Sequence, residues 1–369
     1  MNIAMIGQKG IPAISGGIEK HVEEIAVRLC AIGHDVTVFT RSRYIQDTKD
    51  TYKGVRLKKI PHLKSKHLDA ISHSFFSTLH VIFNHKINLV HFHAIGPSLM
   101  LPMLSLFRPR LRIVATHHSR DYLHGKWSPF AMSILRLGEW SMCRYAHEVI
   151  AVSRSNQHYL QEKYQRLIHF IPNGTSIPSN ESLSLPRDFP AKRDGFFLVV
   201  ARLIPVKCID DIIIAFRQLN TDKHLIIAGE SSHTDEHAQK VKDMAEPNKR
   251  IHFIGHQTPE QLAKLYRNAY LYINASSVEG LSIAVLEAMS YGCATLVSDI
   301  EGNLEAVGEK GLTFPQGDTM ALRQKLEDLL SNPSTIRANS DYNVERIRQH
   351  FNWDDIIATI NDLYEVIGV

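Results

Sequence analysis

A chain of 369 residues has room for two domains, each with a sizeable core. With 44% apolar and 22% charged residues it is neither fibrous, low-complexity nor disordered. Its net charge of +4 hides an asymmetry, because residues 1–185 carry 23 Lys+Arg against 12 Asp+Glu whereas residues 186–369 carry 19 against 26.

The opening MNIAMIGQKGIP has too short an apolar run and the wrong charge order for a secretory signal, which predicts a cytoplasmic protein. From there β-branched runs alternate with helix-period runs. NIAMIG, DVTVFTR, VRLKKIP, NLVHFHA, RIVATHH, HEVIAVS and LIHFIPN read as strands. GIEKHVEEIAVRLCAIG reads as a helix with Ile18, Val22, Ile25, Leu29 and Cys30 on one side and its end at Gly33. Such alternation predicts a parallel sheet covered on both faces.

Six basic residues (Lys53, Arg56, Lys58, Lys59, Lys64 and Lys66) fall in one acid-free stretch, which could hold an anionic surface or be a solvated basic face with no partner. The longest uncharged run, Ile87 to Phe107, contains His91, His93, Pro97 and Pro102 and so reads poorly as a spanning helix. The four scattered cysteines (Cys30, Cys143, Cys208, Cys293) lack the close pairing of zinc or disulfide-exchange sites and read as buried thiols in a reducing compartment.

Periodicity dissolves between Asn173 and Gly195, where the linker is expected. It restarts with FFLVVARL, HLIIAGE, RIHFIGH, LYINAS, ATLVSD and GLTFP, a second doubly wound unit. After Asp318 the chain reads as helical to its end, with no internal sequence repeat, and the final helix is expected to cross back onto the first domain. The expected divisions are 1–180, 190–345 and 346–369.

In doubly wound sheets ligands bind beyond the carboxyl ends of the strands, and four places there stand out. The loop GQKGIPAISGGIEKH sets Gly16 and Gly17 before a helix, where backbone can approach a ligand closely and free amides favour an anion or a sugar oxygen; an unliganded tight loop would look much the same. His91, His93, His117 and His118, with Asp121 just beyond, gather at neighbouring strand ends. A metal is one reading of them, but the carboxylates are few and no H-E-x-x-H occurs, so one histidine contacting substrate beside satisfied strand histidines is preferred. In ARLIPVKCIDD, Arg202 and Lys207 could grip a diphosphate from two sides, a surface ion pair being the alternative. In SSVEGLSIAVLEAMSYG, Ser282 reads as an N-cap, Glu279 lies in the loop ahead and Glu287 on the second turn, between flanking glycines Gly280 and Gly292. Amides near Leu281, Ser282 and Ile283 would then meet a phosphate while the two carboxylates accept from hydroxyls on either side, the layout of a nucleotide sugar.

Taken together, the GGIE loop, the T-x-H-x-x-D run Thr116 to Asp121, IPNG at Ile171 to Gly174, ARLIPVK, and the E-x7-E segment followed by SDIEGNLEAV resemble the retaining glycosyltransferases of family four, of the bacterial cell-surface polysaccharide type. The terminal FNWDDIIATINDLYEVI is similar to that family's closing helix. The resemblance implies the α/β GT-B fold, two doubly wound Rossmann-like domains with a cleft between them: an N-terminal acceptor domain and a C-terminal nucleotide-sugar donor domain. It implies that Arg202 and Lys207 hold the donor diphosphate, Glu287 the ribose, Glu279 the transferred sugar and Gly17 the phosphates from the other domain. His118 would contact the sugar near its reacting carbon, and His93, with Asp121, would stand on the acceptor side. Ser119, Cys208, Ser282, Ala284 and Ala294 depart from residues common in the family, which bears on the donor's sugar and not on activity.

Such enzymes need neither metal nor cofactor, since cations and helix amides take the charge of the departing diphosphate. Retention by a covalent intermediate or by same-face displacement stays open, as do sugar and linkage. A UDP-sugar is the first expectation and a GDP-sugar the second. The basic segment with RPRLR (Arg108 to Arg112) suits a lipid-diphosphate-linked saccharide acceptor and peripheral contact with the anionic inner membrane face, in cell-surface polysaccharide synthesis. The rival readings are a sugar-nucleotide epimerase on the same architecture and a non-catalytic nucleotide-sugar binding protein. Nucleic acid is not an expected partner, because no reader motif or interleaved aromatics accompany the basic stretch.

Overall fold

The computed structural model describes every residue except 15, 43, 45–49, 64–67, 124–126, 179–182, 232–234, 247 and 369. The chain forms two compact units, Met1–Asn173 with Trp353–Val369, and Gly174–Asn352.

In the first unit β1 (Asn2–Ile6) buries Ile3, Ala4, Met5 and Ile6 on both faces, as a central parallel strand must. There follow α1 (Gly17–Ala31), β2 (Asp35–Arg41), β3 (Thr51–Tyr52), β4 (Val55–Ile60), α2 (Asp69–Phe83), β5 (Leu89–His93), α3 (Leu101–Phe107), β6 (Arg112–His117), α4 (Pro129–Tyr145), β7 (Glu148–Ala151), α5 (Arg154–Tyr164) and β8 (His169–Phe170). The sheet order is β3-β4-β2-β1-β5-β6-β7-β8, parallel throughout except for the antiparallel β3–β4 pair. From β1 the chain first moves to one side and later returns to the other, so the winding reverses between β1 and β5. Right-handed crossovers then put α1 on one face of the sheet and α2 to α5 on the other. Two cores follow, one joining α1 to the sheet and one joining α2, α3, α4 and α5.

Local signals match their elements. Val22, Ile25 and Leu29 of α1 are fully buried, while Ile18 and Cys30 lie at the margin of that face. The hydroxyl of Ser153 caps α5 by accepting from the Asn156 amide.

The second unit contains β9 (Phe196–Val200), α6 (Ile209–Arg217), β10 (His224–Ala228), α7 (Asp235–Ala245), β11 (Ile251–Phe253), α8 (Pro259–Asn268), β12 (Leu271–Asn274), α9 (Ile283–Ser290), β13 (Thr295–Ser298), α10 (Glu301–Val307), β14 (Leu312–Phe314), α11 (Thr319–Ser331) and α12 (Pro333–His350). Its parallel sheet runs β11-β10-β9-β12-β13-β14, and here the winding reverses between β9 and β12. Thr258 and Gln261 form a reciprocal capping box at the start of α8.

The last helix, α13 (Trp353–Gly368), returns to the first unit, where Trp353, Ile356, Ile357, Ile360 and Tyr364 join the α1 core. The unit boundaries fall at 173/174 and 352/353 rather than at 180, 190 and 346, the second because α12 runs unbroken to His350 inside the second unit. Strand β3 has only two residues, too few for a period, and sequence reading did not register it. All four cysteines are free thiols, but only Cys143 and Cys293 are buried; Cys30 and Cys208 are half-buried. No described helix is long and apolar enough to cross a membrane.

Candidate functional site

Each unit presents its chemistry-bearing residues where its winding reverses, at the carboxyl ends of the central strands.

In the first unit Gly16 (φ 103) is the N-cap of α1 and Gly17 its first residue, both exposed. The loop before them is held by acidic side chains of the helix it enters. Glu19 accepts from the Lys9 amide at 3.1 Å and Glu23 from the Ala13 amide at 2.6 Å. A side chain at Gly16 would run into the Glu19 carboxylate, and one at Gly7 (φ 127) into the His93 carbonyl, so this turn passes close against the end of β5.

Beside that turn lie the histidines. His93 ends β5 and His118 follows β6, and their Nδ1 and Nε2 atoms approach to 3.4 Å. His21 of α1 closes the group, its ring edge-on to His118 at 4.7 Å and to His93 at 5.5 Å. All three are buried. Burial, before all else, holds His93 and His118 well below the ordinary histidine value, and the neighbouring rings add to this. Burial likewise lowers His21 to about 4, with a hydrogen bond to the Asn173 side chain pulling the other way. Three neutral imidazoles thus lie together, with ligand-capable nitrogens within 4.8 Å of one another. Nε2 of His93 finds no hydrogen-bond partner among the described residues.

The other two histidines face structural groups. His91 is bound at both nitrogens, by the Tyr364 hydroxyl at 2.6 Å and the Thr116 hydroxyl at 2.7 Å. His117 points Nε2 at the buried Glu139, 3.5 Å away. Asp121 opens a short 3-10 turn and accepts from the Ser119 hydroxyl at 2.6 Å, so its described partner is the neighbouring serine and not an imidazole.

In the second unit β9 and β12 are paired neighbours, and the loops leaving them meet. Ser277 of one donates its amide to the Val206 carbonyl of the other at 2.9 Å. Lys207, ending the 3-10 turn Pro205–Lys207, makes a direct ion pair with Glu279, and both are only 15% exposed. Ser276 also donates to the Glu279 carboxylate, at 2.9 Å. The pairing of these two residues was not foreseen from the sequence, which assigned the lysine to a diphosphate and the glutamate to a sugar. Arg202 is exposed. Cys208 adopts the left-handed conformation (φ 47, ψ 45) just before α6, which gives the physical reason a glycine suits this position.

Ser282 is the N-cap residue of α9, as its sequence position implies, but its hydroxyl makes no cap bond. Gly280, Leu281, Ser282 and Ile283 therefore lead into a helix start capped by no side chain. Glu287 sits on the second turn and accepts from the Tyr266 hydroxyl at 3.3 Å. Burial, and then the Glu287 charge, push that phenol well above its ordinary value. The loop carrying Glu279 is braced by residues that sequence reading passed over. Buried Asn303 donates to the Ser298 carbonyl and hydroxyl, and Ser298 in turn to the Ser276 carbonyl at 2.6 Å. A side chain at Gly302 would strike the carbonyls of Glu279 and Gly280. The run SDIEGNLEAV contains these two residues, but only the fold shows what its Gly-Asn pair is for.

Residues 15–177 match the family model described as Glycosyltransferase Family 4, and residues 185–346 the one described as Glycosyl transferases group 1. The chain belongs to the family-four type of glycosyltransferase. It is similar to the glycogen synthase of Mycobacterium tuberculosis, at 24% identity over 399 aligned positions covering 99% of this chain and 94% of that one. Its structure is similar to a sucrose-phosphate synthase from Thermosynechococcus elongatus, with a TM-score of 0.84 and 22% identity over 99% of this chain and 98% of that chain. It is likewise similar to Anabaena Alr3699/HepE in complex with UDP-glucose, with a TM-score of 0.82 and 18% identity over 99% and 100% of the two chains. These likenesses give the glycosyltransferase its fold, GT-B.

The basic stretch of this glycosyltransferase is partly committed to structure. Arg56 pairs with Asp35, and Lys53 lies over the Tyr52 ring at 5.2 Å. Lys58 is exposed on the outer side of β4, and Lys64 and Lys66 lie outside the described residues. Of RPRLR, Arg108 donates to the carbonyls of Val81, Ile82, Asn84 and Ile87, so it ties the end of α2 to the end of α3 and is not a free surface charge.

Proposed function

We propose that this glycosyltransferase moves a hexosyl group from a nucleoside-diphosphate sugar, UDP-linked first and GDP-linked second, to a lipid-linked saccharide with retention and without a metal. The observation that carries the reading is the Lys207–Glu279 pair at the β9/β12 reversal, next to the uncapped start of α9 with Glu287 on its second turn. A diphosphate would draw the Lys207 ammonium onto its oxygens together with Arg202 and the amides of Leu281, Ser282 and Ile283. That would release the Glu279 carboxylate to accept a hydroxyl of the transferred sugar, while Glu287 accepts from the ribose. His118 contacts the sugar near its reacting carbon. The glycosyl–oxygen bond to the diphosphate breaks, the acceptor oxygen bonds the same carbon, and in the same-face route the departing phosphate oxygen takes the acceptor's proton. HepE, complexed with UDP-glucose, supports the uridine preference. The basic first half supports an acceptor at the anionic inner face of a membrane, in the making of a surface polysaccharide.

The test is a thermal-shift series of nucleoside diphosphates and their sugars on the wild type and on Lys207→Ala. One nucleotide family should stabilise the wild type by about 2.7 kcal/mol at a hundredfold excess over its dissociation constant, and the gain should vanish in the variant. An absence of stabilisation by every nucleotide tried would remove the donor-site reading.

A further inference from the structure

Helices α2, α3 and α4 cover one face of the first sheet and lead into the neighbouring strands β5, β6 and β7. Their ends therefore lie side by side along the edge where those strands begin, opposite the edge that carries His93 and His118. At these ends Phe83 is 77% exposed, Leu106 73%, Phe107 60% and Trp140 43%. Arg108, which donates to carbonyls on either side of Phe83, fastens the first of these ends to the second. The apolar surface continues along α4 through Leu137 and Phe130, the latter 75% exposed.

The charge around this patch is mainly positive, and the acid that opens β7 on the same edge, Glu148, is paired with His169 at 2.7 Å. Lys86 and Arg110 stand exposed in the turns after α2 and α3, and Arg144 in the last turn of α4. Between residues 70 and 147 the sequence holds eight Lys or Arg and only two acids, Asp121 and Glu139. Asp121 lies beyond the opposite ends of the strands, and Glu139 is completely buried. An ordinary soluble surface mixes both signs and scatters its large apolar groups. Exposed Phe and Trp with a mainly cationic rim is the composition of a surface that enters the headgroup region of an anionic bilayer.

We propose that the ends of α2, α3 and α4 form a membrane-docking surface, with Phe83, Leu106, Phe107 and Trp140 inserted and Lys86, Arg110 and Arg144 on the lipid phosphates. This deepens the membrane side of the function proposed above and rests on it. It moves the contact away from the segment 53–66 to a different edge of the same unit. A strand of five or six residues spans roughly 17–20 Å, so the surface is separate from the histidine group and its alteration leaves donor handling intact.

The full chain is floated with phosphatidylglycerol/phosphatidylcholine vesicles and with phosphatidylcholine alone. The wild type should float with the anionic vesicles, less so as salt rises. Phe83→Ser with Phe107→Ser, and separately Arg110→Glu with Arg144→Glu, should each weaken flotation at least tenfold. The nucleotide thermal shift should stay unchanged in both variants, which reports an intact fold and reads the donor-site proposal independently. Brominated acyl chains should quench Trp emission in the wild type and lose that effect in Trp140→Phe. Wild-type protein that stays unbound, or variants that float like the wild type, overturn the proposal. So does self-association abolished by the same substitutions without vesicle binding, which would give the patch to a second copy of the chain.

Discussion

Glu139 and the trio His21, His93 and His118 are titratable groups buried in the same unit, and they differ in what surrounds them. Glu139 accepts from the hydroxyls of Tyr122, Tyr159 and Tyr164 at 2.8–3.1 Å and from Lys163 at 2.8 Å, with His117 3.5 Å away. Burial alone would raise its carboxyl, yet these donors, His117 and Lys163 foremost, bring it down to about 2. The trio is also buried but has the opposite provision: its rings are kept neutral and Nε2 of His93 is left unbonded. A buried charge met by several donors holds structure together, whereas a buried polar atom without a partner lies where a ligand can complete it.

Substitution of the satisfied group should have the largest effect on folding. Glu139→Leu leaves Lys163 and three phenols without their acceptor and should cost about 3–5 kcal/mol in urea unfolding. A loss under 1 kcal/mol would mean that this network contributes little. At the open group the effect should fall on catalysis. His118→Ala should lower kcat/KM about a hundredfold or more with the unfolding midpoint nearly unchanged, and equal losses in both would erase the contrast. His91→Phe, bound at both nitrogens, should show the reverse, costing about 1–3 kcal/mol of stability with kcat/KM retained.

The two groups should also separate by pH. The lowered Glu139 carboxyl gives stability present above its ordinary value of 4.5 and lost as pH falls through about 2, roughly 3 kcal/mol in all. His21 is lowered from 6.5 to about 4, so its share is complete above pH 6.5 and lost as pH falls toward 4. A stability profile should therefore decline in two stages, and His21→Asn should make the upper one shallower, the likewise lowered His73, His91, His93 and His118 keeping the rest. The smallest effect expected is that of a chelator, which should leave sugar transfer unchanged. Activity lost to chelation and restored by zinc would recast His21, His93 and His118 as metal ligands.

The sequence carried the strand–helix alternation because each buried parallel strand must be apolar on both faces, which composition records locally. Periodicity likewise located α9, and with it Glu279 in the loop and Glu287 on the second turn. It also marked both glycine positions at the start of α1 and a helix at the end of the chain. What it left out are contacts made across long intervals. His21 joins His93 and His118 only because α1 packs beside β5 and β6, and Lys207 meets Glu279 only because β9 and β12 are neighbours. Gly302 and Asn303 brace a loop more than twenty residues earlier in the chain.

The same division explains Arg108 and Phe83. The sequence by itself determined a basic, nearly acid-free segment and its aromatic content, since those are properties of the residues. Only the tertiary structure decided that Arg108 is bound to carbonyls while Phe83, Phe107 and Trp140 stay in solvent, because burial is settled by which faces the sheet covers and which it leaves bare.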